Sequence, residues 1–163
     1  MIKLSAAEFT DYLKHEGLTS TVNDRKTKGI SDQPAVEKYS KHVKAIIQVE
    51  DKKTTEYSNV LGYPSEFIPA SNPYELSVGD DLRMKLLFKG LPLSNQVVHI
   101  GSRSSDKIRD VEEKETRTDS AGEFSIRIDK KGKWYVASIY MHESREEGID
   151  YESNWATLTF EVK

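Results

Sequence analysis

The sequence predicts a mainly β protein, an antiparallel sandwich or barrel with a short helical segment in front. Three observations predict it. From about Ser58 onward, apolar residues recur at every second position in several short runs. Turn-forming stretches, VGDD, KGLP, TDSAG and DKKGK, fall between those runs. Ahead of them, the first third carries a helix start signal and apolar residues at helical spacing. The expected division is a helical segment over 1–50, packed on or linked to a β-sandwich domain over 51–163.

The helix signal lies in SAAEFTDYLKHEGL. Ser5 followed three residues later by Glu8 is a capping-box pattern. Phe9, Tyr12 and Leu13 then share one helical face, and Gly17 supplies a stop. NDRKTKGISDQP reads as a polar connector. Pro34 suits the first turn of a second helix in PAVEKYSKHVKAIIQVE, which runs into a strand near Ala45 to Val49.

The strands follow. Leu82, Met84, Leu86 and Phe88 alternate with mostly polar neighbours. Phe124, Ile126 and Ile128 do the same, as do Ala156, Leu158, Phe160 and Val162. Each run reads as a strand with one face on a core. In TDSAG, Asp119 is placed to accept hydrogen bonds from the amides that follow it, and Gly122 to take the positive φ that closes a hairpin. The long run KWYVASIYMH has a core face of Tyr135, Ala137, Ile139 and Met141. Its other face carries Trp134, Val136, Ser138, Tyr140 and His142, too apolar for a freely solvated strand. The N-terminal helix, another chain or a further segment is expected to cover it. With Trp155 on the minority face of the last strand, Trp134, Tyr140 and Trp155 form a candidate aromatic rim for a ligand or partner.

The chain has 163 residues, a net charge of -3 and no cysteine. The length suits one domain and a core without staples. Charges of both signs are mixed, with no basic stripe interleaved with aromatics, so nucleic acid is not an expected partner. The missing cysteines remove disulfides, thiolate metal sites and cysteine nucleophiles. No apolar run approaches a membrane span, and no secretory leader is visible. Nucleophile-elbow, P-loop and dinucleotide motifs are also missing, which leaves an enzyme without positive support. A hydrolase using paired carboxylates is the weakest reading.

One loop offers chemistry. HESREEGIDYES holds His142, Glu143, Glu146, Glu147, Asp150 and Glu152. An imidazole with one or two carboxylates is a workable divalent-metal set, and imidazole suits nickel, cobalt, copper and zinc. A solvated charged hairpin loop is the plainer account. His99, in a probable strand, is a further candidate, whereas His15 and His42 read as part of solvated faces.

The segments FTDYLKHEGL, EKYSKHVKAIIQV, FIPASNPYELSVGDDLRMKLLFKGLPLSNQVV, TRTDSAGEFSIRIDKKGKWYVASIYM and YESNWATLTFEV occur in that order. Together they resemble a bacterial family of unknown function, NikM-like, described as the periplasmic component of nickel or cobalt uptake. The resemblance covers nearly the whole chain, and TDSAGEFS, GKWYV and WATLTF are its most distinctive parts. It implies an exported, non-enzymatic protein with an immunoglobulin- or prealbumin-like sandwich. It further implies nickel or cobalt as the bound metal and a membrane uptake permease or envelope protein as partner. Family members begin with a signal peptide and a histidine-bearing segment, and the resemblance implies that this sequence starts after that region. Under that implication His142 and Glu152 are the leading ligands, with Asp150 and His99 behind them. The alternative is an envelope interaction module binding a protein or glycan through the aromatic rim.

Overall fold

The computed structural model describes residues 1–104 and 111–163. Two helices, α1 (Ala6–His15) and α2 (Thr19–Thr27), follow a short strand β1 (Ile2–Leu4). The remaining strands are β2 (Ala35–Ala45), β3 (Ser65–Pro69), β4 (Asp81–Phe88), β5 (Leu91–Pro92) and β6 (Val97–Arg103), then β7 (Glu112–Arg117), β8 (Glu123–Arg127), β9 (Gly132–Glu143) and β10 (Tyr151–Val162). One sheet has the order β1-β2-β10-β9-β6-β7. In the other, β4 pairs with β3 on one side and with β5 and β8 on the other. The chain forms two compact units, residues 1–41 with 139–155, and residues 42–138 with 156–163.

The first unit begins as its capping box dictates. The Ser5 hydroxyl accepts from the Glu8 amide at 3.3 Å, and the Glu8 carboxylate accepts from the Ser5 amide at 2.9 Å. These bonds occupy donors that a helix start leaves orphaned. The hydrogen bond from Ser5 also holds the Glu8 carboxyl below its ordinary pKa. After α1 the chain turns through Gly17 at φ 67°. Phe9 and Leu13 then pack with Leu18, Ala35, Ile139, Met141 and Tyr151.

Two expectations fail here. The polar connector contains most of α2, whose buried residues are Thr21 and Arg25 rather than an apolar stripe. Arg25 explains its stability. Its guanidinium donates to the Ile30 and Gln33 carbonyls and lies 5.0 Å from the Phe9 ring centroid. The helix expected after Pro34 is instead strand β2, paired antiparallel with β1 from Ala35 to Glu37. Val36, Tyr39 and Val43 are β-branched or aromatic and favour the strand, and Pro34 stands just outside its first residue. One further pairing departs from the antiparallel expectation. Asp150 donates to the Val36 carbonyl, and Ile46 donates to the Thr159 carbonyl, both at 2.9 Å. These bonds advance in the same sense along both strands, so β2 and β10 run parallel.

The second unit is the sandwich. Phe67, Leu82, Met84, Leu86, Phe124, Ile126 and Ile128 meet Val98, Ile100, Trp134, Val136 and the even-numbered residues of β10 from Ala156 to Val162. The alternations in β8 and β10 therefore face the core as expected, and so does that of β4 from Leu82 to Leu86; Phe88, expected with them, is half-buried, and Leu87 is buried instead. Asp119 accepts from the Ala121 and Glu123 amides at 2.8 and 2.9 Å, and Gly122 takes φ 72°. Glycine is also required at 101, where a Cβ would lie 2.0 Å from the Tyr135 ring.

A buried ion pair fastens β2 to β3 in this unit. The Lys44 ammonium meets the Glu66 carboxylate at 3.1 Å, with side chains only 9% and 1% exposed. Glu66 also accepts from the Leu61 and Gly62 amides, and Lys44 also donates to the Asn59 and Phe67 carbonyls. Removing one partner strands the other charge. Lys44→Met is expected to destabilise the protein by about 3–5 kcal/mol, read from urea unfolding at neutral pH.

Candidate functional site

The four predicted metal ligands occupy separate settings. Asp150 is exposed and accepts from the Val36 amide at 2.7 Å, fixing the start of β2. Glu152 accepts from the Ser144 hydroxyl at 2.9 Å, closing the loop between β9 and β10. His142 is half-buried, with its ring 5.6 Å from that of Tyr140 and its Nδ1 2.9 Å from the Glu143 carbonyl. In the second unit, His99 Nδ1 lies 3.5 Å from the carboxylate of Glu115, its cross-strand neighbour. Glu143 and Glu146 are paired with Lys28 and Lys38. Among the described residues, no three His, Asp or Glu side chains come together in a group able to hold a metal ion. His42 stacks on Tyr63 at 5.7 Å.

The aromatic rim divides differently from its sequence pattern. In β9, Trp134, Val136 and Ser138 are buried, and then Ile139 and Met141. The buried parity changes between Ser138 and Ile139, where the strand passes from one unit to the other. Tyr135 and Ala137, expected in the core, are half-buried, and Trp134, expected on the rim, is 4% exposed. Its ring stacks on Phe160 at 6.3 Å, and its indole N–H donates to the Lys130 carbonyl. Part of the Trp134 ring still lines an open cavity of about 620 Å³, together with Ile46, Ile47, Tyr74, Tyr135 and Phe160. The N-terminal helix, expected over the face that bears Tyr140 and His142, packs instead on Ile139 and Met141, the residues assigned to the core face, which meet Phe9 and Leu13.

Trp155 belongs to a cluster that sequence reasoning missed. Its indole N–H donates to the Ser153 hydroxyl at 3.2 Å, and Ser153 donates to Glu37 Oε1. The Tyr12 hydroxyl donates to the same oxygen at 3.2 Å. Burial, and then the negative charge of Glu37, push the Tyr12 phenol far above its ordinary pKa. Tyr12 lies nearly parallel to the Trp155 ring at 6.4 Å, and the Lys41 ammonium sits 4.3 Å from the centre of the same indole. Glu37 itself is 3% exposed. The signal available in advance was slight. Tyr12 was assigned to the buried face of α1, but Glu37 sat in a stretch read as a polar helix.

These features define a mainly β protein of two sheets, with helices packed in its first unit and no helix long and apolar enough to cross a membrane among the described residues. The chain belongs to the family described as Domain of unknown function (DUF4198), which matches residues 4–142. No curated protein matches the sequence.

The two tryptophans are expected to respond differently to truncation. Trp134→Ala should destabilise by about 3–5 kcal/mol in chemical unfolding, because it empties a packed core position. Trp155→Ala should cost markedly less and leave the far-UV circular dichroism spectrum unchanged.

Proposed function

We propose that this protein is a non-enzymatic, exported binding module with an immunoglobulin- or prealbumin-like sandwich, of the kind associated with nickel or cobalt uptake. The observation that carries this reading is the ordered set of resembling segments, from FTDYLKHEGL through TDSAGEFS and GKWYV to WATLTF. In this reading the module captures a transition metal and hands it to a membrane permease. His142 supplies an imidazole, the donor type that suits nickel and cobalt. Glu152 supplies a carboxylate from the neighbouring strand, with Asp150 as a secondary donor; His99, in the second unit, is a separate candidate donor. Because the described residues assemble no closed ligand group, the rest of the coordination sphere comes from the partner, which suits transfer better than storage.

The large open cavity beside Trp134 favours a second reading, an envelope interaction module that binds a protein or glycan. Its wall of Ile46, Ile47, Tyr74 and Tyr135 offers apolar and aromatic contact area, and Ile47 is 77% exposed. In the first unit, Tyr140 and Trp155 offer aromatic contact area of their own.

Calorimetric titration with nickel separates the two. The metal reading expects a saturable heat that His142→Ala abolishes or weakens. No heat with nickel, cobalt, copper or zinc ends it for this chain and leaves the interaction module.

A further inference from the structure

A small cavity of about 190 Å³ in the first unit is lined by Ile2, Leu4, Tyr12, Glu37, Tyr39, Lys41 and Trp155. We infer that it binds a small primary ammonium ion, seated against the Glu37 carboxylate and walled by Tyr12, Tyr39 and Trp155. The inference goes beyond both functional readings, since it stands on Glu37, which neither of them uses.

The argument starts from the cost of burying a carboxylate. Buried charges are ordinarily paired or bound to a metal, because desolvation costs several kcal/mol per ion. Glu37 is 3% exposed and forms no ion pair among the described residues. Among the described residues its hydrogen bonds come from the Tyr12 and Ser153 hydroxyls, and both end on Oε1. Oε2 takes none from the described residues, although the side chain lines the cavity. A buried acid left with one oxygen open and neutral donors on the other calls for a cation carrying N–H groups.

The walls select the kind of cation. Aromatic faces attract ammonium groups through their quadrupoles, most strongly for tryptophan. The protein already shows this preference: its own Lys41 ammonium rests 4.3 Å from the Trp155 ring centre and 6.0 Å from that of Tyr39. A bare divalent metal needs several oxygen or nitrogen donors, and this cavity presents a single carboxylate among aromatic and aliphatic groups. A primary ammonium on a short alkyl chain meets every surface. Its N–H groups reach Glu37 Oε2, its charge faces the rings, and its alkyl carbons contact Ile2 and Leu4. Lys41 is then a competitor for the aromatic wall and a like charge at the mouth.

The test is calorimetric titration of the full chain with n-propylammonium chloride, its neutral isostere n-propanol, and methyl α-glucoside. Saturable binding of n-propylammonium alone is expected. Glu37→Gln, with near-UV circular dichroism confirming the fold, should weaken it by at least about tenfold, the loss of a hydrogen bond to a charged group. Lys41→Met changes an exposed side chain and should tighten it, by removing the competitor. The inference is overturned if n-propylammonium gives no saturable heat, if n-propanol or the glucoside binds as well, or if Lys41→Met binds no more tightly than the parent. The last comparison decides the matter even should Glu37→Gln fail to fold. Nickel titration is a separate measurement on separate residues, so failure of one leaves the other standing.

Discussion

Three strands in this protein must serve two interiors, and most of its architecture follows from that constraint. A strand presents alternate residues to opposite faces. It can keep a single apolar face only while one core lies along its whole length. β9 buries Trp134 and Val136 in the sandwich and then Ile139 and Met141 among the helices. β10 buries Tyr151 and Ser153, then Asn154 and the even positions to Val162. β2 buries Ala35 and Glu37 and afterwards half-buries His42 and Lys44. Each strand changes its buried parity once, within a few residues of where the chain leaves one compact unit for the other. Two adjacent residues are then buried together, Ser138 with Ile139 and Ser153 with Asn154. Serine at both junctions is consistent with this: a small polar side chain fits where the pattern switches, and Ser138 satisfies itself on the Val97 carbonyl at 2.7 Å.

That constraint also sets what was legible in the residues. Strands committed to one core, such as β8 and β4 as far as Leu86, display a period of two and face as their spacing requires. α1 was legible for a local reason, since its cap and its stop are written within thirteen residues, from Ser5 to Gly17. β9 was legible as a strand but not in its facing, because a run that switches parity reads as apolar on both sides. Trp134 was accordingly assigned to a rim when it completes the sandwich core. α2 was hidden for another reason: its buried side chains, Thr21 and Arg25, are polar, and its anchoring rests on the guanidinium of Arg25 bonded to loop carbonyls. β2 was misread because a proline at a segment start signals a helix and a strand edge alike.

The candidate ligands show the same limit in chemical form. The acidic loop after β9 looked like a metal set because imidazole and carboxylates crowd within eleven residues, from His142 to Glu152. Folding allots several of those groups to structural tasks. Asp150 caps the amide of Val36, Glu152 holds Ser144, and Glu143 and Glu146 meet lysines. Proximity along a chain says which donors are available and leaves open which ones the fold has already employed.

The contrast between two buried carboxylates carries this furthest. Glu66 and Glu37 are 2% and 3% exposed, and nothing in their neighbouring residues tells them apart as types. Glu66 has a lysine at 3.1 Å and two backbone amides, so its charge is compensated and its oxygens are filled. It needs nothing further, and its role is to fasten two strands. Glu37 receives two hydroxyl donors on one oxygen and no ion pair from the described residues, beside a cavity whose aromatic wall already carries a lysine ammonium. Equal burial with unequal compensation is a physical difference. The protein completes the first carboxylate internally, whereas the second has hydroxyl donors on one oxygen and no ion pair among the described residues, and that difference is the ground for the ammonium site inferred above.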